Sequence, residues 1–225
     1  MGDLPLAIDA NNWFSIHHNP GVIWEGIKKE EDKRHKIIEE FYDPVDSTRA
    51  IYRNFWTRNL RNNRGSTFKV GDIFDKKDAF GAYAKDPKPY FDTLEDFGYT
   101  LDSVIDLRDR DSIGKFFNYL ASIEIGREYF DKNISQEEKQ RVINEGINKG
   151  LDSLINDEDY KYKDQFNKEM STPLISIEFG EDKEQMQQGG FIRQPKMIND
   201  PNAAPAALRA DDIELQAQEG DFIMG

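Results

Sequence analysis

The chain has 225 residues, no cysteine and a net charge of −13 from 43 acidic and 30 basic side chains. The missing cysteines exclude disulfides, thiolate metal sites and thiol nucleophiles, and the acidic balance makes DNA an unlikely main partner, since phosphates are repelled unless a local basic patch overrides the total. The sequence has no run of 18 apolar residues, so no membrane span is expected.

The N-terminal MGDLPLAIDA lacks the basic flank and long apolar run of a signal peptide. Leu6 stands where a myristoylation signal needs Ser or Thr, so myristoylation of Gly2 is not expected. In chain order, the first predicted helix covers 46–61. Ile51 and Phe55, and Tyr52, Trp56 and Leu60, fall at i, i+4 spacing and form an apolar stripe. Asp46 or Ser47 is the candidate cap, after a turn at Pro44. Arg49, Arg53, Arg58, Arg61 and Arg64 form the one locally basic stretch and read as a solvated face pairing with carboxylates. A second helix is predicted over 67–84, with Val70, Ile73, Phe74 and Phe80 inward. A third spans 87–97, opening at Pro87 and closing at Gly98.

The fourth predicted helix, 111–131, carries Ile113, Phe116, Phe117, Leu120, Ile123 and Ile125. Asp106, Asp109 and Asp111 read as its cap and first turn, where the helix dipole favours acids. A fifth begins with Ser135 and Glu138 in a capping-box pattern and continues through Val142, Ile143, Ile147, Leu151, Leu154 and Ile155. Gly146 and Gly150 weaken it by roughly 1 kcal/mol each relative to Ala. Composition changes near Ser171. From there Pro, Gly and an Ala-Pro run dominate, with ten acidic and four basic residues, and 173–180 (PLISIEFG) is the best strand candidate. The expectation is a mainly α fold: a compact helical domain over 1–170, then an extended, mostly irregular arm over 171–225 that gains its burial from partners.

Residues 11–126 contain an ordered series of short motifs. Asn11, Asn12 and Ile16 match part of an Asn-Asn-Pro-Gly-Asn-Ile signature. Trp24-Glu25-Gly26 matches Trp-x-Gly, and Phe41, Pro44, Arg49 and Ala50 match Phe-x-x-Pro-x-x-Gly-x-Arg-Ala. Arg64-Gly65 with Thr67, the polar turn from Asp86 to Tyr90, Gly98 with Asp102 and Ile105-Asp106-Leu107, and Glu124-Ile125-Gly126 follow in order. In this series the chain resembles a family of bacteriophage virion structural proteins, some of whose members are described as peptidoglycan-degrading and lysozyme-like. Residues 210–223 resemble a module of marine-phage virion proteins that usually continues further, which leads to the expectation of a longer or processed product. The chain departs from the signature in two places. Trp13, Phe14 and Ser15 replace Pro-Gly-Asn, and Ser47 replaces the Gly of the third motif. If the motif region is an active cleft, part of it is lost.

The resemblance implies a virion protein of tail or head, made in the host cytoplasm, with other phage structural proteins as partners and several symmetric copies. The alternatives are a virion-associated peptidoglycan hydrolase acting during genome delivery and a soluble adaptor made in the infected cell. Glycosidic chemistry would need a carboxylic acid kept protonated by burial. Glu25 lies beside Trp24 and the apolar Val22-Ile23 pair, and Glu124 lies in an apolar helix. Glu124 reads either as a general acid or as a brace accepting backbone N–H bonds from the Asn11-Asn12 loop. His17, His18 and His35 lack metal-ligand spacing, and no phosphate-binding or nucleophile motif occurs, so no metal or cofactor is expected. Trp13, Phe14, Trp24, Phe41, Tyr42, Phe55 and Trp56 read as core.

Overall fold

The computed structural model describes residues 4–19, 22, 24–74, 84 and 86–173. They are predominantly helical, with two short strands. After the four-residue helix α1 (Leu6–Asp9), the described residues of 10–43 run without regular helices except the 3-10 turn Glu30–Asp32. Helix α2 (Pro44–Arg61) follows. It starts two residues before the predicted boundary because Asp43, not Asp46 or Ser47, is the cap: its carboxylate accepts the Val45 N–H at 2.9 Å, and Pro44 occupies the first helical position.

The helix predicted over 67–84 is not formed in its described part. Residues 67–69 are strand β1, and Val70–Ile73 a 3-10 turn. Strand β2 (Val104–Asp106) pairs antiparallel with β1, Phe68 opposite Ile105. Phe68 is buried between exposed Thr67 and Lys69, the alternation of a half-covered strand. The spacing of Val70, Ile73 and Phe74 serves a 3-10 turn as well as a helix. Residues 75–83 lie outside the described residues. The helix predicted over 87–97 is two pieces, α3 (Lys88–Phe91) and the 3-10 turn Glu95–Phe97, and Gly98 closes it in the left-handed region at φ 75°.

The single helix predicted over 111–131 is two. Helix α4 (Arg110–Ile125) is capped by Asp109, which accepts the Asp111 and Ser112 N–H groups. Gly126, at φ 94° and ψ 115°, breaks the chain before α5 (Arg127–Asn133). The long helix α6 (Gln136–Asn156) is capped by Ser135 as expected, its hydroxyl accepting the Glu138 N–H. Helix α7 (Lys163–Ser171) has no counterpart among the predicted elements. It ends where the composition changes. The strand candidate and the rest of the arm lie outside the described residues, apart from Ser171 to Pro173.

The core is aromatic. Phe117 of α4 is ringed by Phe14, Phe55 and Tyr52, with centroids 5.3, 5.7 and 6.5 Å away. Phe68 bridges Phe55 and Phe116, and Trp56 meets Phe166 of α7 edge-on at 4.9 Å. Offset and edge-to-face pairs of this kind add about 0.5–1.5 kcal/mol each beyond their burial. Of the seven aromatics expected in the core, Trp13, Phe14, Phe41, Phe55 and Trp56 are buried and Trp24 is half-buried. Tyr42 is 56% exposed, because its hydroxyl reaches out to donate to Asp32.

Helices α2 and α6 form the principal helix pair. They approach closely because Gly146 and Gly150 present bare backbone to Thr48 and Tyr52. The basic stretch on α2 is not uniformly solvated, in contrast to the expectation. Arg49 and Arg58 are buried, at 6% and 7% exposure. Arg53 pairs with Asp157 and Arg64 with Asp72, so carboxylates do neutralise much of the stretch. The end of α7 is tied down by Arg108, which donates to the carbonyls of Glu169 (3.1 Å) and Thr172 (2.8 Å) while holding Asp106 through its other nitrogens.

Candidate functional site

Three of the sequence motifs, 11–16, 24–26 and 41–50, meet in one place. Asn12 is fully buried. Its side-chain oxygen accepts the Ile16 N–H, and its amide donates to the carbonyls of Ile16 and Glu39, each at 2.9 Å. Asn11 sits in the left-handed region at φ 51°, a conformation Asn tolerates better than most residues. Its amide donates to the carbonyls of Phe41 and Tyr42 at 3.2 Å. The pair therefore stitches the 10–16 turn to the 39–42 segment. On that segment's other side, Tyr42 N–H donates to the Gly26 carbonyl at 3.0 Å. Gly26 adopts φ 82°, and a methyl group there would lie 2.3 Å from an Asp46 carboxylate oxygen.

The two departures from the signature are built into the same unit. Trp13 and Phe14 point inward, onto Phe130 and Phe117, and anchor the 10–16 turn in the core. The Ser47 hydroxyl accepts the Trp13 N–H at 3.3 Å and donates to the Pro44 carbonyl at 2.7 Å. Ile16 and Ala50 are buried beside these contacts. Thr67 stands instead on β1, where its carbonyl accepts the Asn59 amide.

The two candidate acids have different surroundings and no shared partner. Glu25 does not sit in an apolar pocket: its side chain is 81% exposed, and it binds Arg49 through both its carboxylate and its carbonyl oxygen. Glu124 is half-buried near the end of α4, and its carboxylate accepts the Tyr90 hydroxyl. That contact comes from a side chain, whereas the brace reading expected backbone N–H donors from the Asn11–Asn12 loop. Burial pushes the Glu124 carboxyl above the ordinary carboxylate range, and the Tyr90 and Ser15 bonds offset only part of that. Burial, then the adjoining Glu124 charge, pushes the Tyr90 phenol up as well.

This raised value has a consequence for stability. The folded chain keeps the Glu124 proton to higher pH than the unfolded chain does. The contribution is fully present below the unfolded pKa of about 4.3 and is lost as pH rises through the folded value. Glu124→Gln keeps an acceptor for Tyr90 and removes the ionisation. The variant is expected to match the parent near pH ~4 and to exceed it at pH ~8 in urea midpoint. A midpoint difference that does not change with pH would refute this.

Sequence reasoning missed two carboxylates altogether. Glu39 and Glu40 are 1% and 0% exposed. Glu39 binds His18 at 2.9 Å and Lys33 at 3.0 Å. Glu40 binds Lys28 at 2.9 Å and accepts the Arg34 and His35 N–H groups. Burial would raise the Glu40 carboxyl, but Lys28 and the two N–H donors outweigh it and hold it below the usual range. The signal available was the interleaving of cations in 17–36 with the Glu-Glu step after Ile37-Ile38.

Two surface depressions flank the body. One is lined by Gly126, Arg127, Tyr129 and Lys132 among others, the second by Leu60, Asn63, Gly65 and Lys168 among others. Neither is lined by Glu25, Glu124 or the clustered motif residues. Among the described residues, no group of three or more His, Asp or Glu side chains is placed to hold a metal ion, and no helix is long and apolar enough to cross a membrane. No protein-family model and no curated protein matches the chain.

Proposed function

We propose that the chain is a bacteriophage virion structural protein, of tail or head, which assembles with other phage structural proteins in several symmetric copies through its helical domain and its acidic C-terminal arm. The observation carrying this reading is that the motif residues bind one another. Asn11, Asn12, Gly26, Ser47 and Arg49 each make hydrogen bonds that hold the segments of this unit together, and none of them lines either of the two surface depressions. Residues of that kind preserve a shape, which is what a repeated assembly component needs. The ordered resemblance over residues 11–126 supports the same reading. Mass spectrometry of purified particles tests it: the chain is expected at a fixed copy number per particle. Its presence in infected cells but not in particles would replace this reading with a soluble adaptor.

One observation favours a second reading, a virion-associated peptidoglycan hydrolase. Glu124 is a carboxyl whose burial raises its pKa, as a general acid for glycoside cleavage requires. A zymogram on purified peptidoglycan separates the two. Clearing by the parent chain that vanishes in Glu124→Gln would establish the hydrolase, and no clearing by either would leave Glu124 as a brace.

A further inference from the structure

Helix α7 buries less of itself than α2, α4 or α6. It hides one of its nine residues, Phe166, whereas α6 hides seven of 21 and α4 nine of 16. A depression runs between α7 and the end of α2, lined by Leu60, Asn63 and Gly65 on one side and Gln165, Lys168 and Glu169 on the other. The first residue of α7 is tied to α6: the Lys163 ammonium donates to the carbonyls of Leu154 and Asp157, both at 3.2 Å. Tyr160, just before it, stays with α2, its hydroxyl 3.1 Å from that of Thr57 and its ring against the Arg53 guanidinium. What can move is Asp164 to Thr172. Phe166 docks this stretch by meeting Trp56 edge-on, with the Tyr160 ring 6.5 Å away. Among the described residues, two side chains add polar contacts between the stretch and the body. The Glu169 carboxylate accepts the Ser66 N–H at 3.2 Å. Arg108, oriented by Asp106, donates to the carbonyls of Glu169 and Thr172. Carbonyls at a helix C-terminus lack a partner one turn on, and a cation beside them is favoured.

We infer that α7 is a latch: it undocks as a unit, pivoting after Lys163, while α2, α4 and α6 stay folded, and Arg108 is the group that closes it. The cost of a local opening follows the apolar surface that the opening exposes. Undocking α7 exposes Phe166 and the part of Trp56 it covers, whereas opening α6 exposes its whole seam with α2. A nine-residue helix is marginal in water by itself, so α7 loses its helix when it loses its dock. Closed, the latch fixes Thr172 against the turn between β2 and α4, and with it the residue after which the C-terminal arm begins. The inference does not rest on a virion role.

Hydrogen exchange along the full chain tests the latch, because its own amides report on it. The amides from Phe166 to Ser171 are expected to exchange on the order of 100-fold faster than those inside α6. Arg108→Met keeps the apolar stem and removes both carbonyl bonds. It should speed the α7 amides by about tenfold more and leave the interior of α6 unchanged. Glu169→Ala removes the Ser66 bond and should speed the same amides by roughly threefold. It decides the matter alone if Arg108→Met does not fold. Amides of α7 as slow as those of α6 would overturn the inference. So would variants that speed α6 as much as α7, or that change neither.

Discussion

Gly146→Ala is expected to destabilise the protein by about 3 kcal/mol, although alanine is the better helix former by about 1 kcal/mol. A Cβ at 146 would lie 2.3 Å from Thr48 Cβ, 2.6 Å from Thr48 Cγ2 and 2.8 Å from the Val45 carbonyl oxygen. None of these atoms is the free end of a flexible side chain, so α6 must move off α2. Gly150 poses the same problem one turn on, with Tyr52 Cδ1 at 2.7 Å. For a body of this size the loss corresponds to a melting temperature lower by roughly 6–12 °C. Gly98→Ala is the control. It meets nothing within 4 Å and pays only for its φ of 75°, about 1 kcal/mol. If Gly146→Ala melts at or above the parent, helix propensity outweighs the close approach and the packing account is wrong.

Asn12→Ala should cost about 4 kcal/mol, against about 1 kcal/mol for Asn11→Ala. The neighbours look equivalent in sequence but differ in what they leave behind. Removing the Asn12 side chain strands the Ile16 N–H and deprives the Glu39 carbonyl of a donor, both in the interior. The Ile16 carbonyl keeps the Glu39 N–H and is spared. Asn11 makes its two bonds at the surface side of the turn, where water substitutes. Urea midpoints of the two variants, measured side by side, decide the matter. Similar losses for both would show that the turn, not the buried amide, is what counts.

The helices were legible where periodicity and a cap agree. α2, α4 and α6 each carry apolar residues at three- and four-residue spacing and begin beside Asp or Ser. The reading failed where structure depends on a distant partner. Nothing local in 67–69 announces a strand whose mate lies at 104–106. α7 buries Phe166 alone of its residues, too little for a visible stripe. Gly126 broke a helix that its neighbours' spacing would have continued, and only its positive φ records why. Gly146 and Gly150 were read as weak points of α6, yet they are where the second helix fits. The site divides the same way. The motif residues were identifiable one by one, but that they bind each other requires the fold. Glu39 and Glu40 drew no reading from the sequence, because only the return of 38–42 past residues 16–18 and 26–29 encloses them.

The pairing of α2 with α6 also sets a schedule for synthesis. Arg53 reaches the Ser153 carbonyl across 100 positions of sequence, and Asp43 meets Arg141 across 98. At the ribosome's pace of roughly 5–20 residues per second, α2 waits on the order of 5–20 s before its mate exists. During that interval Thr48 and Tyr52 lack the cover that Gly146 and Gly150 supply, although Phe55 already has Phe68, Phe116 and Phe117 beside it, so the nascent chain is at its most aggregation-prone when about two-thirds of the 225 residues have been made. Slow codons placed before 136 would lengthen this exposed stage, whereas fast decoding through 136–156 would end it.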